Sequence, residues 1–489
     1  MSSLVLGIDI GTTSVSVVAI DADGRLVSSA TLTHGAAVSD LPVGHAEQAP
    51  ALLWQTTQDA LRQVMDNVGD REVTAIGVTG QMHSTLLLNE NGQPCSNVIT
   101  WQDKRAVVHE RDGDSLFASL LSRVSPEAMS STGCRLAPGY MGTTLFALQQ
   151  RSELPQNFSR ASFVADWIAA GLCDQLPVTD RSHAASSGLY DFGIDGWSPT
   201  LLDAAKVNVT WLPEVRHSGV VIGEVCQEVA TATGLPVGTR VCNAIGDNQA
   251  AVLSSLPRDN DSLLINIGTG GQIVWRIPAF QRVEGMDTRY LPNAASAADE
   301  TSHEFMLVGA GLCGGDAFAW INRTVRQWMA AFGVDMSEAA VWKELSKQLE
   351  DLPDALSPIT CEPFFAGTRP DPNRCAMFSG IDVTNFTPAN IARSILRGIA
   401  ETMYGVYESA AVRPEPLTGI VMSGNGSRQN QLLVRAVSDR FGVPALVTPC
   451  QEEAATGAAM LVGVGLGIWN DMQAAQQRVH ESVSRNATF

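Results

Sequence analysis

The strongest structural signal in this chain is the stretch Leu6-Gly7-Ile8-Asp9-Ile10-Gly11-Thr12-Thr13-Ser14, because a near-copy returns about half a chain later. The copy reads Leu264-Ile265-Asn266-Ile267-Gly268-Thr269-Gly270-Gly271. Each predicts an apolar strand, a Gly-Thr turn and a second strand, over 15–20 in the first case and 272–277 in the second. Two copies are too few for a solenoid, so the sequence predicts two related domains that each open with a β-hairpin.

The two predicted hairpin turns offer small residues and backbone N–H groups, which form concavities that bind phosphates. One carboxylate, Asp9, stands before the first turn. A carboxylate that faces two phosphate-binding hairpins is typical of a phosphoryl-transfer enzyme that uses a metal and closes between two lobes. A single Gly-Thr hairpin would be an ordinary turn, and the matched pair is what favours a nucleotide site.

Composition limits the class of protein. A chain of 489 residues is too long for one hydrophobic core, so two or more domains are expected. The hydrophobic fraction of 45% and the charged fraction of 17% are those of a globular protein. The formal charge of −19, from 32 basic and 51 acidic residues, argues against a nucleic-acid partner. A phosphorylated ligand must then be held locally, by backbone amides and a metal.

Compartment is predicted from the cysteines and from apolar runs. The nine cysteines are scattered without a C-x-x-C pair, which favours reduced thiols over a disulfide framework or a zinc site. No run approaches 18 apolar residues, and the first residues lead directly into a predicted strand. We therefore expect no signal peptide, no membrane span and a cytoplasmic protein.

Strands and helices alternate along the chain, which predicts α/β layers. A helix is expected over about 49–68 and a strand over 73–78. We place the domain boundary near Gly246, which divides the chain into 1–245 and 246–489. No low-complexity linker separates the halves, so the two lobes are expected to share an interface and to hinge against each other.

Two aspartates are the candidate chemical groups. Asp9 follows a strand, where a carboxylate is suited to hold Mg²⁺ beside nucleotide phosphates; the alternative is an aspartate that stabilises its own turn. Asp247 follows an apolar strand at the lobe junction, where it is placed to take a proton from an attacking hydroxyl. It would equally serve as the N-cap of a helix that starts near Gln249, and the pattern alone leaves these two roles open.

Other polar residues stand at predicted strand ends, where side chains commonly meet ligands. His83 is either a ligand-binding or a structural histidine. Trp101 and Asp103 are similar to a sugar platform, although tryptophan is more often part of a core. Gly424 and Gly426 suit the close approach of a flat ligand such as adenine, with a plain strand–turn–helix junction as the alternative.

Taken in this order, the segments resemble the FGGY family of carbohydrate kinases, within the actin-like ATPase superfamily, over essentially the whole chain. The matching motifs are the two hairpins, Gly80-Gln81-Met82-His83, Trp101-Gln102-Asp103, Gly246-Asp247-Asn248 and Ser423-Gly424-Asn425-Gly426-Ser427. The resemblance implies two actin-like (ribonuclease H-like) α/β domains with an inter-domain catalytic cleft. Within the family, the segments around Trp101, Ser131 and Asp180 are most similar to sedoheptulokinases, with xylulokinases next.

The resemblance also implies a role for each motif. Asp247 matches the catalytic base, and Asp9 matches the acidic residue near the metal. The residues on the sugar side are Gln81, Met82, His83, Trp101, Asp103 and Asn248. The residues on the nucleotide side are Gly11, Thr12, Thr13, Gly268, Thr269, Gly270, Gly315, Gly424 and Asn425. One departure matters, because many relatives carry Lys or Arg where this chain has Ser16.

The sequence therefore predicts a kinase that uses ATP and Mg²⁺ to phosphorylate a terminal hydroxyl of a ketose, with sedoheptulose ahead of xylulose. A non-catalytic sugar- or nucleotide-binding regulator is the alternative of a different class, and Ser16 is the one feature that favours it. An actin-like ATPase that serves protein partners lacks support from the sugar-side motifs. The expected partner is a small ketose, with no nucleic acid and no membrane. The oligomeric state stays open, a homodimer being one candidate.

Overall fold

The computed structural model describes residues 3–69, 71–108, 114–293, 303–352, 359–368, 371 and 373–486. The strands of the N-terminal half are β1 Leu4–Ile10, β2 Ser14–Asp21, β3 Leu26–Thr33, β4 Glu47–Gln48, β5 Val73–Gly80, β6 Leu86–Leu88, β7 Val98–Ile99, β8 Arg160–Ser162, β9 Thr179–Asp180, β10 Tyr190–Asp191, β11 Gly196–Trp197, β12 Val215–Arg216, β13 Val221–Glu224, β14 Arg240–Cys242 and β15 Ile245–Gly246. Its helices are α1 Pro50–Val68, α2 Leu116–Leu121, α3 Met141–Gln150, α4 Val164–Leu172, α5 Arg181–Ser186, α6 Pro199–Ala205, α7 Gln227–Thr233 and α8 Asp247–Ser255.

The C-terminal half continues the alternation of strands and helices. Its strands are β16 Ser262–Ile267, β17 Gly270–Ile277, β18 Asp287–Leu291, β19 Glu304–Cys313, β20 Thr360–Glu362, β21 Met377–Ser379, β22 Gly419–Ser423 and β23 Ala445–Val447. Its helices are α9 Gly315–Ala331, α10 Glu338–Glu350, α11 Pro388–Ser409, α12 Asn425–Gln429, α13 Gln431–Phe441, α14 Glu453–Gly465 and α15 Met472–Asn486.

Each half is built on one sheet, and the two sheets follow the same plan. The N-terminal sheet has the order β13-β14-β5-β1-β2-β3, and the C-terminal sheet has the order β18-β19-β17-β16-β22-β23. In each sheet the first strand of the hairpin has a parallel neighbour, β5 or β22, and the second strand has an antiparallel one, β3 or β19. The predictions of an internal repeat and of two α/β domains are confirmed.

The helices form where the apolar spacing predicts them. Helix α1 begins with a proline at its first turn, and its buried residues recur every three or four positions, which makes one apolar face. That face packs on β2 and β3. The helix expected over about 49–68 is found as Pro50–Val68.

The two halves interlock through helices α8 and α14, which lie side by side. Helix α14 belongs to the C-terminal half, yet it packs on β1 and β5 of the N-terminal sheet. Glycines permit this approach: a Cβ at Gly7 would lie 1.8 Å from the carbonyl oxygen of Ala455, and one at Gly457 would lie 1.8 Å from that of Ala250. Any larger residue at either position would push the helix away from its neighbour.

The C-terminal segment then returns to the first lobe. The indole nitrogen of Trp469 donates to the carbonyl oxygen of Ala22 at 3.1 Å, and Gln476 Nε2 donates to the carbonyl oxygens of Leu253 and Leu256 at 2.7 Å. Both sheets and helices α8, α14 and α15 contribute to one shared hydrophobic cluster. The strands of the first sheet end at Gly246, where the sequence places the domain boundary, but the chain crosses between the lobes again after it.

The sequence predicts neither a membrane-spanning helix nor a disulfide framework. Among the helices of the described ranges, none has the length and apolarity that crossing a bilayer requires. Within the same ranges, no disulfide joins any two of the cysteines.

Candidate active site

The carboxyl ends of three parallel strands bring the candidate residues together. In the sheet register Ile10 is opposite Gly80, and Gly80 is opposite Gly246, so β1, β5 and β15 end side by side. Asp9, Gln81 and Asp247 therefore lie at the same edge, although they are far apart in the chain. This edge is where ligands bind in open α/β sheets.

Asp247 is the first residue of α8, and the N-cap of that helix is Gly246. The helix therefore starts two residues earlier than expected, and the alternative role of Asp247 as its N-cap is wrong. Asp247 Oδ1 accepts the N–H of Asn248 at 2.7 Å. The carboxylate is half-buried at the junction of the two lobes.

The charge state of Asp247 is set by opposing effects. Burial raises the pKa of Asp247, while the bond from the Asn248 N–H and the charges of His183 and Arg289 lower it. Burial also works against the charge of His183, but the Asp166 carboxylate outweighs it and raises the pKa of that imidazole. His183 Nδ1 and Asp166 Oδ1 lie 3.3 Å apart, with both side chains fully buried. Two basic side chains thus act against the protonation of Asp247.

Asp9 lies among acidic groups. Burial raises the pKa of Asp9 well above its usual range, and the neighbouring carboxylates of Asp247, Glu452 and Glu453 raise it further. Its Oδ1 atom is buried and has no hydrogen-bond partner in the described part of the chain. An orphaned carboxylate oxygen beside three other acids fits a cation.

The described residues hold no group of three or more His, Cys, Asp or Glu side chains placed to bind a metal ion. Mg²⁺ at nucleotide sites is usually held by one or two carboxylates together with substrate phosphates and water. Asp9 therefore fits a magnesium ion that arrives with a phosphorylated ligand, and it does not form a dedicated metal cage.

Ser16 lies directly opposite Asp9 in the hairpin register. Its hydroxyl oxygen is 3.0 Å from Thr31 Oγ1, and Thr31 Oγ1 donates to Glu452 Oε1 at 2.9 Å. A chain of two hydroxyls and a carboxylate thus occupies the place where relatives were expected to carry a cation.

Gln81 and Met82 leave the end of β5. Gln81 Nε2 donates to Gln48 Oε1 at 2.8 Å, and Gln48 Nε2 donates to the carbonyl oxygen of Thr12 at 2.7 Å. These bonds tie the first predicted sugar residue to the first hairpin. Gln81 Oε1 is buried and lacks a partner among the described residues. Met82 lies against Gly246, directly before the predicted base.

His83 has a left-handed backbone, with φ of 70°, which is uncommon for a residue with a side chain. Its Nδ1 donates to the carbonyl oxygen of Ser186 at 2.7 Å, which places the hydrogen on Nδ1. The ring stacks on Tyr140 with the ring centres 3.8 Å apart. The imidazole is thus held rigidly just beyond the end of β5. Sequence analysis missed Tyr140, because nothing in its local pattern signals this contact.

The structure gives the side chains of Trp101 and Asp103 different surroundings. The Trp101 side chain is 44% exposed, so it is not part of the core, and its indole nitrogen donates to Thr12 Oγ1 at 3.4 Å. Asp103 is buried, and its two oxygens accept from the Ala46 N–H at 2.8 Å and from Arg105 at 2.9 Å. Asp103 therefore anchors the segment that carries Trp101, and its geometry lends no support to a contact with the sugar.

Asn248 is held by two residues of the second lobe. Its Nδ2 donates to Gln272 Oε1 at 2.9 Å, and its Oδ1 accepts from Arg289 Nη1 at 3.2 Å. Sequence analysis missed both partners. Gln272 directly follows the repeated Gly-Thr turn, a position that would have signalled it, whereas Arg289 lies in a segment without a recognisable motif.

The predicted nucleotide residues of the second lobe meet around the second hairpin. The Gly315 N–H donates to the carbonyl oxygen of Gly268 at 2.9 Å, so the start of α9 docks on the turn. Gly424, with φ of 83°, precedes α12, and a Cβ there would lie 2.5 Å from the carbonyl oxygen of Ile267. Thr269 and Gly270 complete this turn, and Asn425 is the first residue of α12. Gly11, Thr12 and Thr13 form the turn of the other hairpin.

Known proteins share this architecture. Residues 4–254 match the model of the N-terminal domain of the FGGY family of carbohydrate kinases, and residues 265–466 match that of its C-terminal domain. The chain belongs to this family, and it is therefore a carbohydrate kinase with two actin-like domains. The resemblance found in the motifs is confirmed.

The individual relatives have low sequence identity with this chain. Sedoheptulokinase of Mus musculus is 27% identical over 485 residues, which cover 94% of this chain and 96% of the relative. Two solved structures from Lactobacillus acidophilus, a gluconate kinase and a ligand-bound xylulose kinase, each superpose with a TM-score of 0.82 at 21% identity. They cover 98% and 97% of this chain, and this chain covers 92% of each. At this identity they show the fold alone.

Proposed function

We propose that this sugar kinase transfers the γ-phosphoryl group of ATP to a terminal hydroxyl of a ketose, with Asp247 as the general base. The observation that carries the proposal is the position of Asp247. It stands beside Asp9 at the carboxyl edge of the first sheet, and the next residue, Asn248, is held by the second lobe. An acceptor bound there would meet a phosphoryl group held between the two hairpins.

The proposed reaction needs one proton transfer and one displacement. Asp247 takes the proton of the acceptor hydroxyl while its oxygen bonds to the γ-phosphorus, and the bond to the β–γ bridging oxygen breaks to release ADP. The raised pKa of Asp247 makes it a stronger base than an ordinary carboxylate. His183 and Arg289 act against its premature protonation. Positioning and charge neutralisation supply most of the rate, because phosphoryl transfer needs little covalent help from the protein.

The proposed nucleotide site uses both hairpins. Residues Gly11 to Thr13 and Gly268 to Gly270 would face the phosphates, while Gly315, Gly424 and Asn425 would line the adenosine side. Asp9 would hold Mg²⁺, which neutralises charge on the phosphate oxygens when it is bound. On the acceptor side we assign Gln81, Met82, His83, Trp101 and Asn248 to the sugar.

We propose sedoheptulose as the preferred acceptor, with phosphorylation at the 7-hydroxyl, and xylulose as the runner-up. The similarity to a sedoheptulokinase over almost the full length of both chains supports this choice. Glycerol should be poor, because a short acceptor would leave the polar groups of the sugar site unpaired.

A coupled assay of ADP release tests the acceptor. We expect kcat/KM to fall in the order sedoheptulose, xylulose, glycerol. A clear preference for xylulose would overturn the assignment of sedoheptulose and leave the ketose kinase in place. If no ketose is phosphorylated while another class of sugar is, the proposed function is wrong.

Replacement of Asp247 tests the mechanism. Asp247→Ala should lower kcat by about 10²–10⁴, the usual contribution of a positioned acid–base group. ATP binding should persist, because the hairpins hold the nucleotide. Asp203→Asn is the matched control, since Asp203 is an exposed carboxylate on α6, away from this edge. Near-normal turnover of a folded Asp247→Ala protein would contradict the role of Asp247 as base.

A further inference from the structure

Arg289 is a buried cation at the acceptor side that the proposed mechanism uses only for its charge. It lies on β18, the edge strand of the second sheet, which packs against α5 and α8. The Arg289 side chain is 5% exposed. Its Nη2 donates to Asp287 Oδ2 at 3.2 Å, and its Nη1 lies 3.2 Å from Asn248 Oδ1 and 3.8 Å from Met82 Sδ.

One donor of this guanidinium is unused. Arg289 Nε is buried and has no hydrogen-bond partner in the ranges that the structure describes. Leaving a buried donor unsatisfied destabilises a protein, and more so when the group is charged. The neighbours Asn248 and Met82 are both assigned to the sugar, so an oxygen atom of the acceptor is the natural partner for this donor.

The contact of β18 with the first lobe does not rest on Arg289 alone. Successive side chains of a strand point to opposite faces, and the adjacent residue, Tyr290, makes a second contact with the first lobe on the other face of β18. There the guanidinium of Arg181 lies 5.9 Å from the centre of the Tyr290 ring. Arg181 is itself paired with Asp195. Arg289 is therefore available for a role in the site.

We propose that Arg289 is a specificity-determining residue whose Nε–H donates to a hydroxyl or carbonyl oxygen of the acceptor, near the carbon that is phosphorylated. This inference rests on the proposed function and adds to it a contact from the second lobe. Since a site built to hydrogen-bond an oxygen strongly rejects an analogue that lacks it, Arg289 selects for an acceptor with an oxygen at that position.

The surrounding charges restrict the acceptor further. Asp287 already balances the charge of Arg289, with 3.2 Å between the paired atoms. Asp247 and Asp9 add negative charge at the same edge. A carboxylate on the acceptor would meet this field in a buried, low-dielectric site, where repulsion is strong. The site around Arg289 therefore favours a neutral polyhydroxy acceptor, which is a ketose or a polyol, over a sugar acid. This holds even though a gluconate kinase shares the fold.

The test measures kcat/KM of wild type, Arg289→Met and Arg289→Lys with sedoheptulose, xylulose, gluconate and monodeoxy analogues of the better ketose. Arg289→Met should lose about 10- to 100-fold on the ketose, the contribution of a hydrogen bond from a charged donor, with KM for ATP unchanged. Arg289→Lys should recover part of that loss. Arg440→Met is the control: Arg440 likewise pairs with a carboxylate, that of Glu401, but it lies on α13.

The monodeoxy analogues separate direct contact from mere positioning of Asn248. With one of the analogues, kcat/KM of wild type should fall to the value that Arg289→Met has with the ketose. The same analogue should not lower kcat/KM of Arg289→Met any further. Equal sensitivity of wild type and variant to every deoxy position would overturn the contact. If wild type phosphorylated gluconate as efficiently as the ketoses, that result would also overturn the inference. An inactive wild type would remove the proposed function and this inference together, whereas an active wild type with an unaffected, folded Arg289→Met would remove Arg289 alone.

Discussion

The two hairpins share one fold plan, but they place different chemistry at the same position. Asp9 and Ser16 are opposite each other in the first hairpin, and Asn266 and Gln272 are opposite each other in the second. The first pair therefore contains a carboxylate, and the second contains two neutral amides.

The surroundings of the two pairs explain the difference. Ser16 stays within the chain of hydroxyls that leads to Glu452, and Asp9 lies among other acids. Gln272 instead reaches the first lobe and holds Asn248. In the proposed site the first hairpin would thus provide charge for a cation, while the second would position Asn248, a residue that we assign to the acceptor. Two copies of the same backbone can contribute different chemical groups to one site, because the side chains at equivalent positions differ.

Asp9→Asn gives the first hairpin the amide of the second, and among the substitutions that test this comparison it should have the largest effect on activity. We expect kcat to fall by about 10²–10³, since stabilisation of transition-state charge by a metal is worth several kcal/mol and each 1.4 kcal/mol is about tenfold. The double variant Asp9→Asn with Asn266→Asp should be as slow as Asp9→Asn, because the carboxylate must lie in the first lobe beside Asp247. Recovery of turnover in the double variant would show that the two hairpins are interchangeable.

The same substitution should stabilise the protein. The raised pKa of Asp9 means that the folded state binds a proton more tightly than the unfolded state does. The Asp9 contribution is therefore favourable at low pH and is lost as pH rises through the folded pKa. Without nucleotide or Mg²⁺, Asp9→Asn should raise the midpoint of thermal unfolding at pH 7–8, and the gain should shrink below about pH 4. A lower midpoint at neutral pH would contradict the crowding of acids around Asp9.

Helices α8 and α14 extend the comparison, because each lies where the two lobes meet. Gly457→Ala should lower the free energy of unfolding by about 1–3 kcal/mol, since its Cβ would overlap the carbonyl oxygen of Ala250 and force the helices apart. Gly405→Ala on α11 is the control: nothing lies within 4 Å of its Cβ, so alanine should stabilise that helix by about 0.5–1 kcal/mol. Thermal or denaturant unfolding measures the stability of both variants. Equal changes in the two variants would contradict the close contact between α8 and α14.

Ser16→Lys should have the smallest effect. The lysine would lie opposite Asp9 and beside the site of Thr31, where it could reach the transferring phosphate. We expect kcat to change by less than about tenfold, because Mg²⁺ bound with the nucleotide would compensate for the missing charge. Steady-state kinetics on the best ketose provides the measurement. An inactive wild type that gains activity from Ser16→Lys or Ser16→Arg would show that no compensation exists.

Local pattern was sufficient for the elements that depend on neighbouring residues. The hairpins, the strand ends and helix α1 follow from apolar periodicity and turn residues, and the structure contains each of them. The role of Asp103 did not follow from pattern, because a carboxylate near a tryptophan is equally suited to bind a sugar or an arginine. Only the positions of Ala46 and Arg105 distinguish these uses.

The sequence by itself determined that the chain has two related lobes, that each carries a Gly-Thr hairpin, and that Asp9 and Asp247 are the candidate chemical groups. Tertiary structure alone decided that three strand ends place these aspartates at one edge, that α14 packs on the opposite sheet, and that Arg289 and Gln272 reach Asn248. The physical reason is range. Turn geometry and periodicity act within a few residues, whereas strand order and burial join residues that are tens to hundreds of positions apart, and local sequence carries no record of those partners.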